Sequence, residues 1–452
     1  MAEAVPGRDI PWQRNRAVRR QVTALALPIV ANNLLQHGVG VVDTVMVGHV
    51  GPYQLAAVGL CQILILTATA FVYCIAVGSA VLVARHTGAE EYDPRRWVGN
   101  SALASGLITG VMLGVLLGSL GGWAAALVGA RGEMLAESIR YLEIIGVAYA
   151  FMVVIQVASA IFQGAGDSRT PLHVVIAVNV LHILVAYPLI FGRWGMPMLG
   201  VRGAALATLI SAILGAIALV ALLARRRLIS LRGRMFVPNQ LGRIVRLGLP
   251  VLGERLLTHG MQILFARLLL GFEVAAFAAH QIGLNIEAMS FLSGLGFSQA
   301  ATTLVGQNLG AGRPVRASRS GYQAGVVAVS IMSAFGLIFL LIPHFWVSLF
   351  TSDPAVQAYG VRFLRLAAFM QAGVATAMVM SGALRGAGDT QGPMYGVLIG
   401  AWVLRLPLAW FLAVHLSLGV TYAWIMMVVD WNFRGLFLFL RYRRRARYEL
   451  EA

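Results

Sequence analysis

The chain has 452 residues, 59% of them hydrophobic and only 12% charged, with a mean hydropathy of +0.78. That balance excludes a soluble globular protein and points to one that lives in lipid. The formal charge of +17 is carried by arginine alone, since no lysine occurs, and it would suit a nucleic-acid partner but for where the arginines fall.

An arginine-rich tail, 1–20, precedes the first apolar run, and no cleavable signal peptide is evident in it. Apolar stretches, at roughly 20 residues per crossing, then predict twelve helices at about 21–47, 52–83, 97–122, 135–163, 170–192, 201–224, 243–269, 275–305, 317–342, 355–385, 392–416 and 419–440. Pro28, Pro188, Pro250 and Pro407 fall inside spans, where the missing amide donor invites a bend that a neighbouring helix must cover. Cys61 and Cys74 share the second span, about 20 Å apart along a helix, and so cannot pair with each other. The longest connection, 225–242, is too short for a soluble domain.

The same segment is written twice. Pro28, His37-Gly38, Ala56-Ala57, Gly88-Ala89 and Gly164-Ala165-Gly166-Asp167 return 222 residues later at Pro250, His259-Gly260, Ala278-Ala279, Gly310-Ala311 and Gly386-Ala387-Gly388-Asp389. Beyond that turn the offset falls to 219, so that Gly200-Val201 meets Gly419-Val420, a three-residue deletion in one loop. The expected fold is therefore an all-α polytopic membrane protein, with twelve transmembrane helices in two pseudo-symmetric six-helix bundles. Its parts would be a tail at 1–20, a lobe at 21–224, a connecting loop at 225–242, a second lobe at 243–440 and a tail at 441–452. Paired bundles of this kind place a substrate path at the repeat interface and rock one half against the other.

With the amino terminus inside, 25 of the 35 arginines fall in the tails and the even-numbered connections, and only Arg131, Arg140, Arg193 and Arg202 fall opposite. That asymmetry is the positive-inside pattern of a plasma (inner) membrane protein with both termini cytoplasmic, and it suits anionic headgroups. The remaining six, Arg255, Arg267, Arg362, Arg365, Arg405 and Arg434, lie in or beside spans.

Candidate chemistry begins with Asp43. A carboxylate inside a span costs roughly 2.5–3.5 kcal/mol on insertion scales, so a functional role is expected of it. Asn33, Gln36, Gly40 and Asp43 recur at helical spacing, with His37 beside them, and form a polar strip that would lack partners if it faced lipid. Proton and cationic solute would compete for such a carboxylate, which is the essence of antiport. On the fifth span His182 suits either proton uptake or a hydrogen bond to Asp43 or Asn179. In the second half Glu254 and Glu287 are the acids, and each suits either cation binding or an ion pair with Arg267 or Arg405. Gln281, Gln371 and Met289 complete the candidate substrate-binding set with them, Met289 standing among Met and aromatic residues that suit a cavity wall or plain packing.

Asp43-Thr44-Val45-Met46-Val47-Gly48, Phe162-Gln163-Gly164-Ala165-Gly166-Asp167 and the stretch from Gly200 to Thr208 mark the first half. Ala279-His280-Gln281-Ile282, Leu304-Val305-Gly306-Gln307-Asn308-Leu309-Gly310-Ala311 and Leu384-Arg385-Gly386-Ala387-Gly388-Asp389-Thr390 mark the second. In this order and spacing they resemble the multidrug and toxic compound extrusion (MATE) transporters, over about residues 20–440. The resemblance implies two six-helix lobes about a central cleft and export of organic, often cationic, compounds in exchange for protons or sodium. Where the proton-linked branch carries Asn and, four residues on, Asp, this chain has His182 and Ala186; where the sodium-linked branch carries Asp, it has Gln371. Loss of a hard oxygen ligand weakens a sodium site, so proton coupling is favoured.

The expected ion-coupling residues are thus Asp43, Asn33, Gln36, His182 and Asn179. Sodium coupling and a lipid-linked precursor flippase are the alternatives. No His-Glu-x-x-His, phosphate-binding loop or cysteine cluster suggests an enzyme, a metal or a cofactor. The expected partners are a small organic substrate and the bilayer, with the chain a monomer and no nucleic acid bound.

Overall fold

The computed structural model describes residues 11–230 and 236–451; those parts of the expected tails and connecting loop that fall on 1–10, 231–235 and 452 lie outside the described residues. Within them the chain is helical, without a strand. Twelve long helices occur: α1 Pro11–Gly48, α2 Pro52–Gly88, α3 Tyr92–Val128, α4 Gly132–Gly164, α5 Arg169–Phe191, α6 Val201–Arg225, α7 Pro238–Leu269, α8 Val274–Gly310, α9 Pro314–Leu341, α11 Pro354–Gly386, α12 Gln391–His415 and α13 Val420–Glu451. A short helix, α10 Pro343–Ser348, stands apart. The bounds follow the predicted spans, but α1 and α13 run on into the arginine-rich ends, because arginine is a good helix former even where no lipid face is needed.

Ten of the long helices have the length and composition to cross a membrane, and the chain is a multi-pass membrane protein. Helices α7 and α8 are comparably long, at 32 and 37 residues, and less apolar. Glu254, Arg255 and His259 dilute the first, and His280, Gln281, Asn285 and Glu287 the second.

The sequence repeat survives in the helices. Shifted by 222 residues, α2 overlies α8 from end to end, and α4 overlies α11. The counterpart of α3 is broken into α9 and α10, since a residue before proline is driven out of helical geometry and Ile342 accordingly has φ −128° and ψ 46°. α12 departs from its counterpart α5 in another way. Its segments Leu398–Arg405 and Trp410–His415 are π-helical, wide turns that are uncommon and gather at functional sites.

The chain forms two compact units. One comprises Pro28–Gly260 with Gly388–Tyr395; the other comprises the stretch up to Leu27, Met261–Ala387 and the stretch from Gly396 onward. The units therefore divide inside α1 and α7 and not at the expected connection 225–242. Local packing supplies the reason. In the second unit the start of α1 is tied to α9, with Arg19 Nε donating to Gln323 Oε1 at 2.5 Å and Arg316 Nη2 to Gln21 Oε1 at 3.2 Å. In the first, the early turns of α7 lie so close to α2 that a Cβ at Gly248 would stand 2.6 Å from the Cys74 carbonyl carbon.

Within the first unit α4 is the hub, packed on α2, α3 and α6. Its approach to α3 depends on Gly106, Gly110, Gly114 and Gly118, one every fourth residue, which lets the two backbones meet in the small-residue manner of membrane helices. A Cβ on Gly110 would lie 2.9 Å from Ala150 Cα, and one on Gly114 would collide with the Gly146 carbonyl oxygen. Substitution Gly114→Leu is expected to destabilise the protein by at least about 1–3 kcal/mol, as overpacking of a close contact does. A fall in the thermal midpoint of the purified protein would register it, and an unchanged midpoint would contradict this packing.

Within the second unit α11, the repeat partner of α4, is the hub, packed on α8, α9 and α13. Ser298 Oγ donates to the Met378 carbonyl at 2.6 Å and Thr302 Oγ1 to the Gly382 carbonyl at 2.9 Å, tying α8 to α11. Gly373 meets α13 at Asn432, whose Cα a Cβ would approach to 2.8 Å.

Candidate functional site

Two clusters of polar groups lie inside the helices, one in each unit. In the first unit, Asp43 on α1 is met by His182 on α5, with Nε2 2.7 Å from Oδ1. The histidine side chain is 6% exposed and the carboxylate 21%, so the pair is largely withdrawn from its surroundings yet open on the acid's side. One turn earlier on α5, Asn179 Nδ2 donates to the Leu35 carbonyl at 3.4 Å, fixing the two helices at a second level. Gln36 Nε2 donates to Asn32 Oδ1 at 2.9 Å, and the buried Nδ2 of Asn33 has no acceptor. Buried Tyr141 on α4 is close enough to Asp43 to interact with its charge. A carboxylate against an imidazole sets two groups that can each bind a proton within hydrogen-bonding distance of one another.

In the second unit, Glu287 lies buried on α8 with Gln371 of α11 within hydrogen-bonding reach. Gln371 in turn accepts from Ser290 Oγ at 2.7 Å and donates to the Ala367 carbonyl at 3.3 Å. Arg405 on α12 and Asp430 and Arg434 on α13 are buried too. Arg434 makes a double hydrogen bond to Asp430, Nε to Oδ1 at 2.6 Å and Nη2 to Oδ2. Arg405 Nη1 stands 4.0 Å from Asp430 Oδ2, and its guanidinium lies 3.9 Å above the Phe265 ring. Gly400, in the π-helical turn, makes room for the Asp430–Arg434 pair: a Cβ there would strike Asp430 Oδ1 and come within 2.6 Å of Arg434 Cγ.

Of the expected ion-coupling residues, Asp43 and His182 meet across α1 and α5, and Asn179 joins the same two helices at Leu35. Gln36 is exposed and turns to Asn32, a residue the polar-strip reading does not include. His37 and His173 are exposed. The expected substrate-binding set is not assembled as one. Glu287 and Gln371 meet, whereas Gln281 and Met289 sit on the exposed face of α8 with Asn285, whose Nδ2 donates to the Gln281 carbonyl. A helix turns 100° per residue, which sets positions 281, 285 and 289 on one face and 280, 287 and 290 on another. Glu254 is half-buried on α7 and belongs to the first unit. Arg267 is exposed, so of the two arginines considered for Glu287 it is Arg405 that lies in range.

Asp430 is the residue that reading the sequence left out. Its signal was available: an intramembrane acid four residues before Arg434, the spacing at which opposite charges meet on one helical face. No group of three or more His, Cys, Asp or Glu suited to a metal ion occurs among the described residues.

A multi-pass bundle built from two copies of one helical segment, with ionisable groups held inside each copy, has the make-up of a membrane transporter rather than an enzyme. The chain belongs to the MatE family, whose profile matches it twice, over residues 28–188 and 250–411, once in each repeat. It is 31% identical over 448 residues to a probable multidrug resistance protein NorM of Thermotoga maritima, covering 97% of this chain and 96% of that one. With the multidrug resistance protein PmpM of Pseudomonas aeruginosa it shares 28% identity, covering 96% and 93%. Among solved structures it resembles an outward-facing multidrug resistance MATE family transporter, at 22% identity and a TM-score of 0.88 over 98% of this chain and 99% of that one. It resembles the bent form of the Vibrio cholerae MATE transporter VcmN as well, at 19% identity and a TM-score of 0.90 over 96% and 98%.

Proposed function

We propose that the protein exports small organic, chiefly cationic compounds, drugs and toxins among them, across the plasma membrane in exchange for protons. It does so by alternating access, as a monomer with both termini in the cytoplasm. The names of its relatives, multidrug resistance proteins, support drugs as substrates, and the acids Asp43 and Glu287 held inside the helices favour cations among them. The proton is favoured by one observation, the 2.7 Å contact between Asp43 and His182. An imidazole nitrogen beside a carboxylate offers a seat for a proton, whereas a sodium ion asks for several oxygen ligands. In the second unit, Gln371 meets Glu287 as a neutral amide where a sodium site would gain from a second carboxylate. A flippase for anionic headgroups would want a cluster of free cavity arginines, and of buried Arg405 and Arg434 the second is committed to Asp430, which leaves one and not a cluster.

Ethidium uptake by proteoliposomes separates these readings. An imposed pH gradient is expected to drive uptake, and an equal sodium gradient to leave it near the leak rate. Uptake on sodium alone would overturn proton coupling, and cation-independent lipid scrambling would put the flippase in its place.

A further inference from the structure

At one end of the second unit two arginines are held in place by neutral groups. Arg19 Nε on α1 donates to Gln323 Oε1 on α9 at 2.5 Å, and Arg316 Nη2 on α9 donates to Gln21 Oε1 on α1 at 3.2 Å, so each helix lends the other an amide. A guanidinium carries five N–H donors, and each of these bonds engages one. The amides therefore fix the two side chains without cancelling their charge. Arg319 adds a third. Around α9 it lies within about 60° of both Arg316 and Gln323, on one stripe of the helix and between them in height.

The surroundings do not supply the missing negative charge. Among the described residues no acid occurs on 11–27 of α1, on 308–325 around the start of α9, or on 434–446 of α13. That last stretch packs against the same end of α9, where the Tyr442 hydroxyl donates to the Ala317 and Ser318 carbonyls, each at 3.3 Å. Arg19 and Arg316 are exposed and Arg319 half-buried, so their remaining donors are open to a ligand from outside.

Position selects the ligand. Arg19 precedes the first apolar run, and Arg316 and Arg319 flank the start of the ninth, which sets the seam at headgroup level. About two turns deeper, Leu27 on α1 is 55% exposed and Val326 on α9 is 44% exposed. A phosphate suits paired guanidinium donors, and an acyl chain suits the two apolar side chains beyond them. A free phosphate would use only the first, and a zwitterionic headgroup would bring an ammonium that the arginines repel.

We propose that the seam between α1 and α9 is a binding site for an anionic phospholipid, whose phosphate takes donors of Arg19, Arg316 and Arg319 while a chain lies along Leu27 and Val326. The bound lipid fastens the opening of α1 to α9 within the second unit. The inference depends neither on what the protein transports nor on which leaflet the seam faces.

Native mass spectrometry of the purified full-length protein, released from neutral detergent after titration with lipid, tests it. Dioleoylphosphatidylglycerol is expected to bind at least tenfold more tightly than dioleoylphosphatidylcholine. Arg319→Gln, which leaves both amide bonds in place, is expected to abolish that preference, and Arg319→Lys to keep most of it. Arg225→Gln, an equal loss of charge at the exposed end of α6, is expected to leave it unchanged. Equal binding of the two lipids by the wild type overturns the site, and so does an undiminished preference in Arg319→Gln. An equal loss in Arg225→Gln overturns it as well, because net charge and not a built seam would then govern binding. Displacement of phosphatidylglycerol by millimolar inorganic phosphate would replace the lipid site with one for free anions. Should Arg319→Gln not fold, Arg316→Gln takes its place with the same two outcomes.

Discussion

Asp43→Asn is expected to reduce pH-driven ethidium transport to the rate of empty liposomes, a loss of about two orders of magnitude or more, while the protein still folds. The amide keeps the size of the carboxylate and can still hydrogen-bond to His182, which stands 2.7 Å from Asp43 Oδ1. What it lacks is the ability to gain and lose a charge. A pH difference is worth about 1.4 kcal/mol per unit for each proton exchanged, and a site that cannot exchange its proton forfeits that drive. Binding measured without a gradient is a separate readout, since it reports occupancy and not turnover. Retained pH-driven transport in the variant would move the coupling step away from α1 and α5.

Asp430→Asn is expected to be the most damaging single change to stability, costing about 3–5 kcal/mol, because it leaves buried Arg434 facing a neutral amide. Thermal unfolding in detergent would show this as a large fall in midpoint. The double variant Asp430→Leu/Arg434→Leu is expected to recover most of the loss, since replacing both members of a buried pair with apolar groups is often close to neutral. An equal loss in single and double variants would mean that packing around Gly400 and Trp431, and not charge, holds α12 and α13 together.

Hydropathy made the long helices legible because each must satisfy its backbone internally and face lipid along part of its length. Asp43 was legible for the converse reason, as a charge where lipid forbids one. Its partner was harder to fix: His182 suited three roles, and only the packing of α5 on α1 selects the contact with Asp43. The face of α8 was not legible residue by residue: Gln281 and Met289 lie on its exposed side and Glu287 on its buried side, a difference that follows from helix geometry and not from residue type. The division of the chain inside α1 and α7 depends on contacts far apart in sequence, Arg19 with Gln323 and Gly248 with Cys74, which no local pattern announces. The π-helical turns of α12 likewise have no signature in an apolar run, since the residues that widen the turn are as greasy as those that would have kept it regular.

Those wide turns bear on how the two copies of the ancestral segment drifted apart. A wide turn sets the residues beyond it on a different face from the one a regular helix would give them. α5, which shows no such bulge, keeps an imidazole for Asp43, while bulged α12 presents a guanidinium instead. A local change of winding thus accompanies two unlike interiors in one duplicated scaffold, one that sets an imidazole against a carboxylate and one that sets two guanidinium groups about another.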